Sequence, residues 1–205
     1  MSDIGLLYVG AVLFVNSLML LGRVDGKSAA IFNMFVGLLQ VFTPISLVVS
    51  ADGDSAVILS ASGIFLFGFT YLYVGLTNWF NLQTTGLGWY CLWVAIMALG
   101  FSYVNFVQFS DVKFGIIWLF WSFLWYLFFL VLGRGLQIDR YVGKVTFVNA
   151  WFTTTIPAFL SLSGQWVRVS DKAAWIVAFV LVIYFVIAYF TNTPTKKVKP
   201  AEETV

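Results

Sequence analysis

The sequence contains no histidine, one cysteine and four prolines, and only 10% of its 205 residues are charged. Without histidine there is no Ser-His-Asp or Cys-His nucleophile, no imidazole metal ligand and no imidazole pH switch. The lone Cys91 can form neither an intramolecular disulfide nor a cysteine-cluster metal site. Set in an apolar run, it reads as a small buried hydrophobe. Eleven basic against nine acidic residues leave a net charge of +2, too small to imply nucleic acid or another polyanion as partner. The shortage of charge has the widest consequence. Soluble domains carry about 25% charged residues; with 61% hydrophobic residues here, there is too little polar material to coat a globule. The chain reads as an all-α integral membrane protein. Soluble enzyme, nucleic-acid binder and secreted disulfide scaffold are all poor readings.

What is present is a series of apolar runs, each long enough to cross a bilayer at about 20 residues per span. They fall at 4–22, 29–50, 55–76, 87–106, 115–133, 145–163 and 173–191, separated by short stretches carrying charge, Gly or Asn. This predicts a seven-transmembrane helical bundle. Pro44 and Pro157 lie inside runs two and six and predict kinks there. The start, Met1-Ser2-Asp3, has no basic region, so run one reads as a retained span rather than a cleaved signal peptide. Residues 1–191 form one membrane domain. The polar, Pro-containing tail over 192–205 is expected to be disordered and cytoplasmic.

Orientation follows the basic residues. Arg23, Lys27, Arg134, Arg140, Lys144, Lys196, Lys197 and Lys199 belong to one set of loops, and Lys113, Arg168 and Lys172 to the other. The larger set is expected inside, placing the amino terminus outside and the carboxy terminus in the cytoplasm. All charged residues fall in the loops or termini and none inside a run. That leaves no intramembrane carboxylate for ion coupling, no span lysine for a Schiff base, and no acid, base or metal ligand for an intramembrane enzyme.

The spans offer aromatic stripes instead. In run five Trp118, Trp121 and Trp125 stand at i, i+3 and i+7 and share one helical face. Such a ladder is unusual, because span tryptophans normally gather at the lipid interfaces and each buried indole N–H needs a partner. Phe69 and Tyr73 make a similar face in run three, near the small residues Ser60-Ala61-Ser62-Gly63 and Gly68 that allow helices to approach closely. Leu6, Val9 and Leu13 form a face of run one, with Asn16 one turn further. Asn16, Asn33, Gln40 and Asn149 are long-chain amides within spans, and a hydrogen bond to a neighbouring helix is the ordinary reading for most of them. These stripes could wall a conduit, or they could only pack helices in a non-conducting membrane scaffold or assembly subunit. Periodicity leaves both open.

Several blocks then carry a resemblance: Leu7-Tyr8-Val9-Gly10, Val24-Asp25-Gly26-Lys27-Ser28, Asn33-Met34-Phe35-Val36-Gly37, Leu66-Phe67-Gly68-Phe69-Thr70-Tyr71-Leu72-Tyr73, Trp89-Tyr90, Val94-Ala95-Ile96 and Ile117-Trp118-Leu119-Phe120-Trp121 with Leu124-Trp125. Over about residues 5–160 the chain resembles the urea channel and amide transporter family (AmiS/UreI). The resemblance implies a passive channel in the bacterial cytoplasmic membrane, conducting urea and short aliphatic amides without a cofactor. It further implies a homo-hexamer embedded in membrane lipids, with one pore in each protomer. The positions matching the family's pore are Leu6, Val9, Leu13, Phe69, Tyr73, Phe114, Trp118, Trp121, Leu124 and Trp125, with Asn16 and Asn149 as possible polar contacts. Phe114 stands where the gastric-pathogen urea channel has Trp. Acid-gated members have long, histidine-bearing outer loops. Here the loops at Ala51-Asp52-Gly53-Asp54-Ser55 and Ser110-Asp111-Val112-Lys113 are short. Asn149 replaces a glutamate common in the family, and an amide cannot titrate. The short loops without histidine, together with the seventh span, resemble the amide-channel branch without histidine-based acid gating: a six-helix channel core plus one C-terminal helix.

Overall fold

The computed structural model describes residues 3–191, and among these every regular element is helical. Seven helices are long and apolar enough to cross a membrane: α1 (Asp3–Leu20), α2 (Gly26–Ser50), α3 (Ser55–Phe80), α4 (Thr85–Val107), α5 (Val112–Gly133), α6 (Asp139–Leu162) and α7 (Asp171–Phe190). The chain is a multi-pass membrane protein. The tail expected to be disordered over 192–205 lies outside the described residues, as do Met1 and Ser2.

The short loops do specific work on helix ends. Asp25 accepts a hydrogen bond from the Ser28 N–H at the start of α2, Asp54 from Ala56 and Val57 at α3, and Asp111 from Phe114 at α5. Ser170 does the same for α7 through Ala173. Each such cap satisfies a helix N–H that has no intrahelical partner and contributes roughly 1 kcal/mol. Much of the scarce acidic charge is therefore spent at helix starts. One expectation needs adjustment. α6 begins at Asp139 rather than near residue 145, so Arg140 and Lys144 ride on its first two turns. The helix outruns its apolar stretch because long basic side chains can extend their heads towards water.

The helices close a ring. α1 packs on α2, α2 on α3, α3 on α4, α4 on α5, α5 on α6, and α6 back on α1, and among the described residues the extensive backbone approaches of these six helices are all between ring neighbours. Three antiparallel pairs are tightest: α2 with α3, α4 with α5, and α1 with α6. At one end the α1–α6 seam is tied by Ser161, whose hydroxyl donates to the Asp3 carboxylate at 2.8 Å. α7 lies outside the ring against α5 and α6.

Small residues bring these pairs together, as lipid-embedded packing requires. A β-carbon on Gly37 would stand 2.8 Å from the Leu72 backbone nitrogen, and one on Gly68 2.9 Å from the Gln40 carbonyl oxygen. α2 and α3 can approach that closely only with glycine at both sites. Gly10 of α1 abuts the side chains of Thr154 and Thr155, and Gly88 of α4 abuts the backbone of Gly133.

The two internal prolines act differently from one another. α2 runs on as α-helix through Pro44. α6 instead widens into a π-helical segment, Ala150–Thr155, just before Pro157. Proline has no N–H to offer the carbonyl four residues back, and threonine hydroxyls add hydrogen bonds to carbonyls at the start of the widened turn. Thr153 donates to the Asn149 carbonyl at 2.7 Å, and Thr154 and Thr155 each donate to the Ala150 carbonyl at 2.6 Å. Single π turns inside helices recur at functional sites.

Candidate functional site

The ring's interior is filled by one connected stripe of side chains. Leu6, Val9 and Leu13 of α1 are buried in it together with Trp118, Trp121, Leu124 and Trp125 of α5. Phe67 of α3 sits at its centre. Its ring lies 4.8 Å from Trp121, 4.7 Å from Trp125 and 6.0 Å from Trp118, centroid to centroid. Trp118 and Trp121 meet edge to face at 4.9 Å, and Phe101 of α4 stacks on Trp118 at 4.7 Å. α3 and α5 are not paired along the ring wall, so these contacts bridge its interior. Aromatic pairs of this kind contribute about 0.5–1.5 kcal/mol each beyond their area burial.

Two recesses lie on either side of this cluster. Towards the end with the basic loops, a cavity of about 70 Å³ is lined by α1 (Leu13, Asn16), α3 (Phe67, Thr70, Tyr71), α4 (Leu87, Cys91) and α5 (Trp121, Leu124, Trp125). It has room for about two water molecules at their liquid volume. At the opposite end a more polar recess of about 270 Å³ is lined by Ser60, Phe101, Asn105, Asp111, Phe114 and Trp118. The rings of Phe67, Trp118 and Trp121 stand between them. Lys113 closes that end of α5 against the loop after α6. Its ammonium donates to the Trp166 and Val169 carbonyls and lies 5.0 Å from the Trp166 ring, which also meets Phe114 edge-on.

The buried polar groups have partners, with one exception. Trp121 Nε1 donates to Thr153 Oγ1 at 3.0 Å. The π-helical turn of α6 thus anchors the central indole, whose N–H would otherwise be unsatisfied. Asn16 and Asn33 pair head to head, each amide donating to the other's oxygen at 2.9 and 2.6 Å. Asn149 donates to the Val145 carbonyl of its own helix and sits behind the Trp121 anchor, where Thr153 also contacts its side-chain oxygen at 3.4 Å. It does not line either recess, whereas Asn16 lines the first. Only Gln40 has neither its Nε2 nor its Oε1 partnered among the described residues. An unpaired buried polar group of this kind costs about 1–3 kcal/mol.

The structure corrects one stripe. Phe69 is 50% exposed on the outside of the ring, stacked on Phe65 at 5.8 Å, and Tyr73 is half-buried beside α4, outside both recesses. The inward face of α3 is carried by Phe67 and Tyr71, two residues earlier in each case. Residues two apart on a helix point about 200° away from each other, so the offset moves the face from inside to outside. Both pairs are four apart and aromatic, and periodicity could not choose between them. Gly63 held a usable signal. One turn before Phe67, its missing side chain makes room for the Trp118 ring, 3.0 Å from where its β-carbon would be. Phe114 is half-buried, at the polar recess.

Comparison with known proteins finds the same architecture. The profile of AmiS/UreI family transporters matches residues 1–165. The chain is 51% identical over 166 residues to "Putative transporter protein AmiS2" of Rhodococcus erythropolis, covering 80% of this chain and 81% of that protein. It is 48% identical over 167 residues to "Putative amidate substrates transporter protein" of Mycolicibacterium smegmatis, covering 81% and 78%. The cryo-electron microscopy structure of the Helicobacter pylori urea channel in its closed state superposes with a TM-score of 0.74. It is 27% identical and covers 81% of this chain and all of that one.

Proposed function

This chain belongs to the AmiS/UreI family of transporters, a family of channels and transporters rather than enzymes, and from that premise we propose that it is a passive channel for urea and small neutral aliphatic amides. The observation that carries the reading is the closed six-helix ring with an uncharged, aromatic interior and a recess on either side of the ring cluster. The pore runs along the ring axis, past Leu6, Val9, Leu13, Phe67, Tyr71, Trp118, Trp121, Leu124 and Trp125. Phe114 stands at one mouth and Asn16 near the other.

The physical logic is one of partial compensation. Removing water from a polar group without replacement costs on the order of 2–7 kcal/mol. A flat solute can lay its face on indole and phenyl rings, and its edge N–H groups can meet ring faces, each such contact contributing about 0.5–1 kcal/mol. That offsets part of the cost without making a trap, and conduction requires sites that are easily left. An ion gains no compensating charge in the same passage. No carboxylate, lysine or arginine lies on the stripe to couple the solute to an ion gradient, so flux runs down the solute's own gradient. The chain sits in the bacterial cytoplasmic membrane with its amino terminus outside and its Lys-rich carboxy terminus inside, following the eight-to-three excess of basic residues. It assembles as a homo-hexamer with one pore per protomer.

Stopped-flow swelling of proteoliposomes in urea or acetamide tests this. The protein is expected to speed solute entry well above bare lipid. Correctly folded protein that leaves vesicles as tight as lipid alone identifies it as a scaffold.

A further inference from the structure

Gln40 is fully buried in α2, and among the described residues both polar atoms of its side-chain amide lack a partner. Two turns earlier on the same helical face, Asn33 is equally buried and pairs head to head with Asn16 of α1. The same pair of helices therefore holds one amide that is satisfied by another amide and one that is not. The reason Gln40 lacks a partner is local. Its amide faces α1 at Gly5, where a β-carbon would stand 2.5 Å from Oε1. Gly5 leaves room for the amide but carries no side chain to bond it. The next residue, Leu6, is on the interior stripe of α1. A leucine or methionine at position 40 would fill similar volume with no polar atoms to desolvate, so packing alone does not call for glutamine.

We propose that Gln40 is a contact for the permeant solute in the outer part of the ring. Its Nε2 donates to the carbonyl oxygen of urea or a primary amide, and its Oε1 accepts from the solute's N–H, in the head-to-head geometry that Asn16 and Asn33 display. This inference rests on the channel reading above and adds a point of recognition for the amide group, which stacking on flat rings does not provide.

The test uses full-length wild type and the variants Gln40→Met and Gln40→Leu in proteoliposomes. Initial rates are measured over a range of urea and acetamide concentrations, beside thermal unfolding in detergent. Flux at low solute is expected to fall about tenfold, equivalent to roughly 1.4 kcal/mol. The half-saturation concentration should rise, with the unfolding temperature unchanged or higher. Variants that conduct like wild type, or that lose flux in step with a lower unfolding temperature, overturn the inference and assign Gln40 to packing. If wild type is no leakier than bare lipid, the channel reading fails and this inference with it. Conducting wild type with unaffected variants removes this inference alone.

Discussion

α5 and α7 are the two most apolar spans, yet they occupy opposite kinds of place. Well over half of α5 is buried inside the protein, while less than a quarter of α7 is. α5 supplies Trp118, Trp121 and Trp125 to the ring interior; α7 turns Phe179, Val180, Val182, Val186 and Ile187 outward. In water the most apolar helix would be the most deeply buried. In lipid the surroundings are as apolar as a leucine side chain, so hydropathy exerts no inward pull and packing decides placement. α5 is held centrally by what its rings touch: Phe67, Phe101 and the Thr153 hydroxyl. α7 lacks such contacts to the interior and rests against the outside of α5 and α6, with Phe185 meeting Phe120 and Phe123.

That contrast can be broken or sharpened in several ways. The largest effect is expected from Trp121→Ala, which removes the central ring and leaves Thr153 without its donor. Loss of about 3–5 kcal/mol is typical for truncating a buried tryptophan, and urea flux and selectivity should change with it. Phe179→Ala on the exposed face of α7 should stay within about 0.5 kcal/mol of wild type. Thermal unfolding and stopped-flow swelling measure both, and equal effects would dissolve the distinction between ring and periphery. Next, Phe67→Ala should alter flux about tenfold, a change of roughly 1.4 kcal/mol, and by several times more than Phe69→Ala. The reverse ranking would put the inward face of α3 back at Phe69 and Tyr73. Third, Gly10→Ala forces a β-carbon against Thr155 on the α1–α6 seam. It should cost about 1–3 kcal/mol, read as a lower unfolding temperature. Fourth, a chain ending at Ser170 lacks α7 but keeps the ring, and its urea flux should remain within about twofold, or roughly 0.4 kcal/mol, of full length. The smallest effect concerns pH. Urea flux at external pH 5 and pH 7 should agree within about twofold, again roughly 0.4 kcal/mol, because no histidine is present to change charge between them. A tenfold acid activation would require a gate built from carboxylates.

Much of the architecture was legible before any coordinates. The seven runs and the shared face of Trp118, Trp121 and Trp125 are local properties of length and spacing. The small residues of α3 were readable as close-packing sites, and Gly68 is one. Three things were not legible. Phe67 and Tyr71 could not be told from Phe69 and Tyr73, because both pairs have the same spacing and chemistry. The anchor from Trp121 to Thr153 joins residues of different helices through a π turn, which periodicity at 3.6 does not reveal. Gln40 and Asn33 look alike as span amides; only the opposite helix shows that one faces Asn16 and the other Gly5.

Span count and the absence of charge from the span interiors were therefore decided by the sequence alone. The cost of placing polar or ionised groups in hydrocarbon depends on each segment's own composition. The closure of six helices into a ring, the side of α3 that faces its axis, and the exile of α7 to the outside were decided by tertiary structure. Inside a membrane every helix is greasy on all sides, and only the fit of glycines, rings and hydroxyls between neighbours tells one side from another.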